Sequence, residues 1–442
     1  MPLTYKEITE QIFNALPMYH KIGSSAYKEG LENIETLLAI VGNPEEKLRT
    51  IHVAGTNGKG SVTHLLSSFY QEKGAKVGLY TSPHLLDFRE RIKINGEMIS
   101  KEAVVDFFER FQTDFEQIEP SFFEMTTALA FYHFAKNNVD IAIIEVGLGG
   151  RLDATNVIRP DLSIITNISL DHTQLLGNTL AQIAYEKAGI IKPHTPVLIG
   201  KMQKETWPVF QQRAEAESSP LYNTENIVIK ELAQHSDPYN RSIDIHADEK
   251  KICSNIMLPL QGDYQFENVA TYVKAILLLE KINPHLYEMI GKGIAHVLQN
   301  THLEGRWQIV QTKPLTICDT GHNSGGFTYI STQLENIRQG ALHLIIGFVN
   351  DKDIDSIIRL LPHQAYYHIC KATVARALDP SIIIEKMAEA HLQAEESLAS
   401  VYQTYQKVLQ NAHDDDVIYI GGSTFIVADF LQEMKQQKFP TN

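Results

Sequence analysis

"HVAGTNGKGSV", residues 52 to 62, places three glycines, a lysine and a serine within the seven positions Gly55 to Ser61. An apolar approach precedes it, and "VTHLLSSFYQEKG" follows with apolar residues at helical spacing. Strand, glycine-rich loop and helix in that order form the setting of a phosphate-binding loop. Glycines let backbone N–H groups curl around phosphate oxygens, and the helix N-terminus adds partial positive charge. Lys59 is then placed to reach the outer phosphates, and Ser61 to touch Mg²⁺. The stretch departs from the common G-x-x-x-x-G-K-[ST] form. Val53 stands where the first glycine would be, and Gly60 separates Lys59 from Ser61. A glycine-rich turn carrying only a solvated lysine is the bland alternative, and nucleotide binding suits the context better.

On both sides of this loop, from about residue 50 to 200, short apolar runs alternate with helical patterns, which signals βαβ units and a parallel sheet. "TIHVAG", "KVGLYT", "DIAIIEVG", "LSIITNI" and "PVLIG" are the expected strands. From 201 to 262 the pattern weakens, and "IVIKEL" and "SIDIHA" predict an antiparallel extension. After "ENVATYVKAILLLEKI" the pattern changes again near 296 to 303, so the expected domains are 1–298 and 299–442. The second alternates "PLTICD", a helix from about Phe327, "ALHLIIGF", a helix after "DKDID", "AYYHICKA", two helical segments, "DVIYIGG" and a last helix. The fold class predicted is α/β: a mostly parallel-sheet, P-loop-type ATP-binding domain followed by a smaller, Rossmann-like α/β domain.

The 442 residues exceed what one core usually supports. With 53 acidic against 39 basic residues the net charge is -14, which disfavours a nucleic-acid partner. Three scattered cysteines, Cys253, Cys318 and Cys370, suit a reducing compartment and core positions. No apolar run approaches membrane-spanning length, and "MPLTYKEITEQIFNALPMYHK" lacks the uninterrupted apolar stretch of a secretory signal. A cytoplasmic protein is expected, with no membrane partner.

Ligands of open α/β sheets gather beyond the carboxyl ends of the strands. Glu145 ends a strongly apolar strand, where a carboxylate is costly to bury unless a cation compensates it, so it is a magnesium-ligand candidate. Asp171 and His172 reach the same edge, where His172 either ligates a metal or bonds a carbonyl. Glu186 and Lys187 read from spacing alone as a surface salt-bridging pair. In "RERIKI" the alternation of Arg89, Arg91 and Lys93 predicts three cations on one face of a strand, suited to a carboxylate-bearing substrate or simply to solvent. "ICDTGHNSGGF" repeats the strand-to-glycine-turn theme with Asp319 and His322, without the full dinucleotide pattern. One such edge per domain predicts a cleft that closes on its ligand.

"HVAGTNGKGSV", "TSPHLLDFRERI", "FFEMTTALAF", "EVGLGGRLDATN", "SLDHTQLLG" and "EKAGIIK" resemble, in order, motifs of the folylpolyglutamate synthase and dihydrofolate synthase family of the Mur ligase superfamily. The resemblance runs from about residue 20 to 430. It implies a monomeric ATP-dependent ligase with small-molecule substrates: the carboxylate of dihydropteroate or a folate is phosphorylated by ATP, and the amine of L-glutamate attacks the acyl phosphate. It implies a first domain carrying the nucleotide and the folate or pteroate site, and a second that handles glutamate. Thr56, Asn57, Gly58, Lys59, Gly60, Ser61, Asn268, Arg306 and Asp319 would serve ATP. Ser61, Ser82, Glu145 and His172 would hold magnesium, and Lys187 would be carbamylated and hold a second Mg²⁺. Arg89, Arg91, Phe123, Asp153 and Ser423 would bind substrate, while Lys59, Lys187 and His322 would be catalytic. The chain departs from the family pattern at Glu304, where Pro is common, and at Gly321 and Ser324, where Ala and Pro are common.

Two other readings fit part of the pattern. A cell-wall Mur ligase acting on another carboxylate would need an N-terminal domain for a UDP-sugar, and the phosphate loop lies too close to residue 1 to accommodate one. A non-ligase nucleotide-binding ATPase would leave the "FRERIKI", "DHT" and "EKAG" segments without a use.

Overall fold

The computed structural model describes residues 4–9, 30–232, 241–397 and 399–438. The start of the chain, on which the leader reading falls, lies largely outside the described residues.

Helix α1 (Glu32–Ile40) leads into β1 (Thr50–Ala54), whose five residues are all buried. The chain then runs through α2 (Lys59–Glu72), β2 (Val77–Tyr80), β3 (Ile92–Ile94), β4 (Glu97–Met98), α3 (Lys101–Ile118), α4 (Phe122–Lys136), β5 (Ile141–Glu145), β6 (Leu162–Ile165), α5 (Leu180–Ala188) and β7 (Val197–Ile199). Next come α6 (Trp207–Ala216) and β8 (Leu221–Asn223), neither of which the sequence pattern announced. One sheet orders these strands β4-β3-β2-β5-β1-β6-β7-β8, with β3 and β4 antiparallel and the rest parallel. All five expected strands of this region are present. β1 lies between β5 and β6, so the windings diverge beside it and a crevice opens past its carboxyl end. That crevice receives the glycine loop.

β9 (Ile227–Glu231), β10 (Arg241–Ala247) and β11 (Lys250–Leu258) form the antiparallel extension as a separate three-stranded sheet, to which β11 adds a strand not foreseen. It shares one apolar core with α2, α7 (Gln265–Leu279) and α8 (Pro284–Ala295). α9 (Val297–Thr301) packs on α2. The expected division at 298/299 falls inside this helix, and we place it in residues 302–307.

The second domain comprises β12 (Gln308–Thr312), β13 (Leu315–Cys318), α10 (Ser324–Ile337), β14 (Leu342–Ile346), β15 (Tyr366–Ile369), α11 (Pro380–Glu389), β16 (Ala394–Glu396), α12 (Val401–Asn411), β17 (Val417–Gly421) and α13 (Thr424–Lys438). Its sheet order is β12-β13-β17-β14-β15-β16, parallel except for β12. The three cysteines are buried and free.

One expectation fails. "RERIKI" is not a strand with three cations on one face, because Phe88–Arg91 form a 3₁₀ turn and only Ile92–Ile94 are extended. Asp87 accepts the Arg89 backbone N–H at 2.9 Å, while Glu90 accepts the backbone N–H groups of Leu85, Leu86 and Asp87. This capping box closes a helical turn and outweighs the alternation. The cations scatter: Arg89 pairs with Asp87 at 2.7 Å, Arg91 is buried, and Lys93 donates to the Thr301 carbonyl at 2.9 Å.

Candidate active site

The loop between β1 and α2 is held from β6. Thr56 N–H donates to the Asn167 carbonyl at 2.9 Å, Asn57 N–H to Asn167 Oδ1 at 3.0 Å, and the Thr166 hydroxyl to the Asn57 carbonyl at 2.6 Å. Gly55 has φ +146, and a Cβ there would lie 1.8 Å from Thr166 Oγ1. Gly58 has φ +81, and a Cβ there would lie 2.2 Å from Asn268 Oδ1. Both glycines are therefore required by conformation and by space. Lys59 folds over its own loop, donating to the carbonyls of Gly55 at 3.0 Å and Thr56 at 3.1 Å. Ser61 is buried and accepts from Gln265, whose amide oxygen accepts from Asn268.

Lys187 on α5 donates to the same Gly55 carbonyl at 3.0 Å. Burial, with Lys59 as a like-charged neighbour, lowers it from the usual ammonium range to about 7. The surface-pair reading of Glu186 and Lys187 therefore divides: Glu186 pairs with Arg151 at 3.0 Å, and Lys187 turns inward.

Glu145 at the end of β5 is buried and accepts Ser82 N–H at 3.2 Å. Burial raises its carboxyl pKa, while Lys59, Arg306 and Arg91 oppose the rise. Arg306 donates to Thr320 Oγ1 and to the Gly305 carbonyl. His172 caps the short helical turn Thr173–Leu176, and burial lowers it to about 3, leaving a neutral imidazole able to ligate. Among the described residues no three His, Cys, Asp or Glu side chains gather into a metal cluster. Magnesium retains waters and takes phosphate oxygens beside one or two protein carboxylates, so this dispersed set fits it.

The second domain reaches the loop through Asp171. Its Oδ1 accepts from Lys352 Nζ at 2.5 Å and His172 N–H at 2.8 Å, and its Oδ2 accepts from Asn323 Nδ2 at 3.0 Å and faces His322 Nε2 at 3.2 Å. Burial would raise this carboxyl, but Lys352, His172 and His322 hold it well below the ordinary range. Asn57 and Asn323 exchange two amide hydrogen bonds, at 3.0 and 2.9 Å. Asp319 stands behind them, accepting from the Tyr264 hydroxyl and the backbone N–H groups of Trp307 and Gly321.

Between these walls lies a cleft of about 1580 Å³, counted to its open mouth. From the first domain, Thr56, Lys59, Ser82, His172 and Lys187 line one part of it, and Arg91, Phe123 and Asp153 another. His322 and Ser423 face it from the second domain. Glu145 lies just behind Ser82, and Gly60 adjoins Arg306 and Glu145. Asn57, Gly58 and Ser61 of the loop and the turn after it lie outside the cleft wall, with Asn268 against Gly58 and Arg306 against Gly60; Asp319 is also outside it, and Arg89 is held away by Asp87. Arg91 donates to His84 Nδ1 at 2.8 Å and lies over the Phe122 ring. The Phe123 ring rests on Gly147, where a Cβ would come within 2.4 Å of it. Sequence reasoning missed Lys352 and Arg376, both of which line the cleft. The lysine in "NDKD", just beyond β14, was the available signal.

Two family models match the chain: the Mur ligase middle domain over residues 53–276, and the Mur ligase glutamate ligase domain over 305–424. The chain is 32% identical to the dihydrofolate synthase/folylpolyglutamate synthase of Bacillus subtilis, over 92% of this chain and 95% of that one. It is 31% identical to a probable bifunctional folylpolyglutamate synthase/dihydropteroate synthase of Haloferax volcanii, over 91% of this chain and only 48% of that longer protein. It thus spans about half the length of some curated relatives and nearly all of others. A crystal structure of a bifunctional folylpolyglutamate synthase/dihydrofolate synthase with Mn, AMPPNP and L-glutamate bound superposes with a TM-score of 0.78 at 27% identity, covering 92% of this chain and 95% of that one.

Proposed function

The chain belongs to the dihydrofolate synthase/folylpolyglutamate synthase family of Mur ligases, and from that premise we propose that it joins L-glutamate to dihydropteroate, to reduced folates, or to both, at the expense of ATP. A carboxylate is a poor electrophile because it lacks a leaving group. Its oxygen attacks the γ-phosphorus, ADP departs, and the acyl phosphate so formed has one. The glutamate amine then attacks the acyl carbon, phosphate leaves, and the amine gives up a proton.

The observation that carries this reading is the convergence of Lys59 and Lys187 on one loop carbonyl, at the sheet's switch point and beneath a cleft walled by both domains. Lys59, with the loop N–H groups and the α2 N-terminus, holds the nucleotide phosphates. Asn268, Arg306 and Asp319 shape the nucleotide side, His322 flanks the reacting groups, and Ser423 lies on the glutamate side. Phe123 packs on the acid substrate's ring system, the Asp153 carboxylate accepts from the ring's N–H groups, and Arg91 supplies positive charge for the substrate's carboxylate. Ser61, Ser82, Glu145 and His172 would hold magnesium, which when bound neutralises charge that accumulates on the phosphates. Lys187 near its neutral form is nucleophilic enough to add to CO₂. A C–N bond forms, one proton is released, and the resulting carbamate anion can hold a second cation.

Among the described residues both walls of the cleft come from the same chain, which suits a monomer. Free, buried cysteines suit a reducing, cytoplasmic setting. Among the described residues no helix is long and apolar enough to cross a membrane. The deciding experiment couples ADP release to absorbance with dihydropteroate and tetrahydrofolate offered separately. Turnover requiring both an acid and L-glutamate is expected, and equal ADP release from ATP alone would overturn the proposal.

A further inference from the structure

β1 carries an anomaly two residues before the phosphate loop ends its strand. At the centre of the mostly apolar sheet, beside Ser163 of β6, His52 is fully buried, and its Nδ1 has no hydrogen-bond partner. An aliphatic residue would fill this position without that cost. Nε2 has a partner: it lies 2.9 Å from Thr155 Oγ1. The Thr155 hydroxyl, also fully buried, bonds in turn to Asp153 Oδ1, and the Thr155 N–H donates to the same oxygen at 3.0 Å. Leu148 N–H donates to Asp153 Oδ2 at 2.8 Å.

The direction of this chain follows from proton counting. Burial raises the Asp153 carboxyl pKa, but the Thr155 hydroxyl and the backbone N–H groups of Leu148, Thr155 and Gly147 all donate to it and oppose the rise. A threonine hydroxyl has one hydrogen, which therefore points at Asp153. The Thr155 oxygen is then an acceptor, and His52 must present Nε2–H. Burial keeps the imidazole neutral, near 3, so Nδ1 is the bare nitrogen and its lack of a partner is the consequence of this tautomer. Each bond polarises the next in a low-dielectric interior.

We propose that His52 is a positioning residue for the acid substrate: through Thr155 it fixes Asp153 as an oriented acceptor on the cleft wall. This rests on the reading that Asp153 seats the substrate's ring. It assigns to the strand before the phosphate loop a role in the other half of the site, so the effect of His52 falls on the acid and not on ATP. The first turn past β5 and the centre of β1 thereby form one unit.

The test measures kcat, KM for the pteroate-type acid and KM for ATP in His52→Leu, His52→Gln, Thr155→Val, Asp153→Asn and the double variant His52→Leu/Asp153→Asn. Thr155→Val, which removes a bond to the carboxylate, should raise KM for the acid about ten-fold, and His52→Leu, which removes the neutral bond behind it, about five-fold, with kcat and KM for ATP within about two-fold in both. His52→Gln retains an N–H donor where Nε2 stood and should restore the wild-type KM. In the Asp153→Asn background, His52→Leu should add nothing. A parallel rise in KM for ATP, a Gln variant as impaired as the Leu variant, or an undiminished Leu effect without the carboxylate would each overturn the proposal. If His52→Leu does not fold, Thr155→Val carries the test, and a wild-type KM there is a refutation. Asp153→Asn alone reports on the seat itself: an unchanged KM for the acid in that variant refutes the underlying reading, whatever His52 does.

Discussion

Lys187 is a residue whose chemistry the sequence and the structure describe differently. Beside Glu186 on a helix it has the look of a surface cation, and no periodicity argument turns it inward. In the fold it is buried against Gly55, with Lys59 as neighbour, and burial brings its ammonium down to about 7. A base whose folded pKa is lowered is protonated below that value and free above it. Only the free amine has the lone pair that adds CO₂. Enzyme depleted of CO₂ should therefore regain activity when dissolved CO₂ is restored to one fixed concentration, several-fold faster at pH 8 than at pH 6, as a time course of ADP release would record. An identical recovery rate at the two pH values would remove the carbamate from the account. Lys187→Ala should lower kcat by about 10²-fold or more, with partial rescue by short carboxylates that stand in for the carbamate.

At the scale of elements, the glycine loop was readable because its requirements are local. Spacing, the preceding strand and the following helix identified it, and its glycines divide into two with a geometric duty, Gly55 and Gly58, and one without, Gly60. Gly55→Ala must place a methyl 1.8 Å from Thr166 Oγ1 at a φ that L-residues avoid, so it should weaken ATP binding by more than about ten-fold. Gly60 has an ordinary φ inside α2, and a methyl there meets Arg306 Nη2 at 3.5 Å and Glu145 Oε2 at 3.9 Å, both ordinary contacts. Gly60→Ala should keep or raise the melting temperature, since alanine favours a helix by about 1 kcal/mol over glycine. Isothermal titration with a nucleotide analogue and thermal melts of the two variants separate the cases. The same scale shows where sequence patterns mislead. In "FRERIKI" the alternation was real, but Asp87 just before it and Glu90 within it stand three residues apart, and a capping box decides a turn before side-chain alternation can decide a strand. β8, β11 and β16 escaped notice because their residues are largely exposed and carry no continuous apolar run. β13, β14 and β17, buried on both faces, were evident from apolar runs alone.

At the scale of the molecule, what the sequence withheld is the join between domains. Asp171 and His172 could be placed at a strand edge, and Asp319 and His322 at another, but no local rule says which side chains meet across 150 residues. At the cleft the structure joins the domains through one acid above all: Asp171 takes Lys352, His322 and Asn323 from the second domain, beside the Asn57–Asn323 amide pair, and Lys352 is the partner that no motif reading selected. Even the departure at Glu304 is explained at this scale, since it pairs with Lys435 on α13 and leaves Arg306 free to face Thr320. The Asp171–Lys352 pair is almost completely buried, with side chains 7% and 6% exposed. Removing one member of such a pair strands the other's charge, whereas removing the lysine in favour of an apolar chain leaves a carboxylate that still has three donors. Asp171→Asn should therefore cost about 3 kcal/mol and loosen the second domain, while Lys352→Met should cost less. Denaturant titration gives the stabilities, and small-angle scattering gives the domain separation. A more expanded Asp171→Asn variant with Lys352→Met close to wild type is the expected pair of results. Equal losses in both would mean that the carboxylate's bonds to His322 and Asn323 contribute nothing, and that Asp171 acts on the join through the ion pair alone.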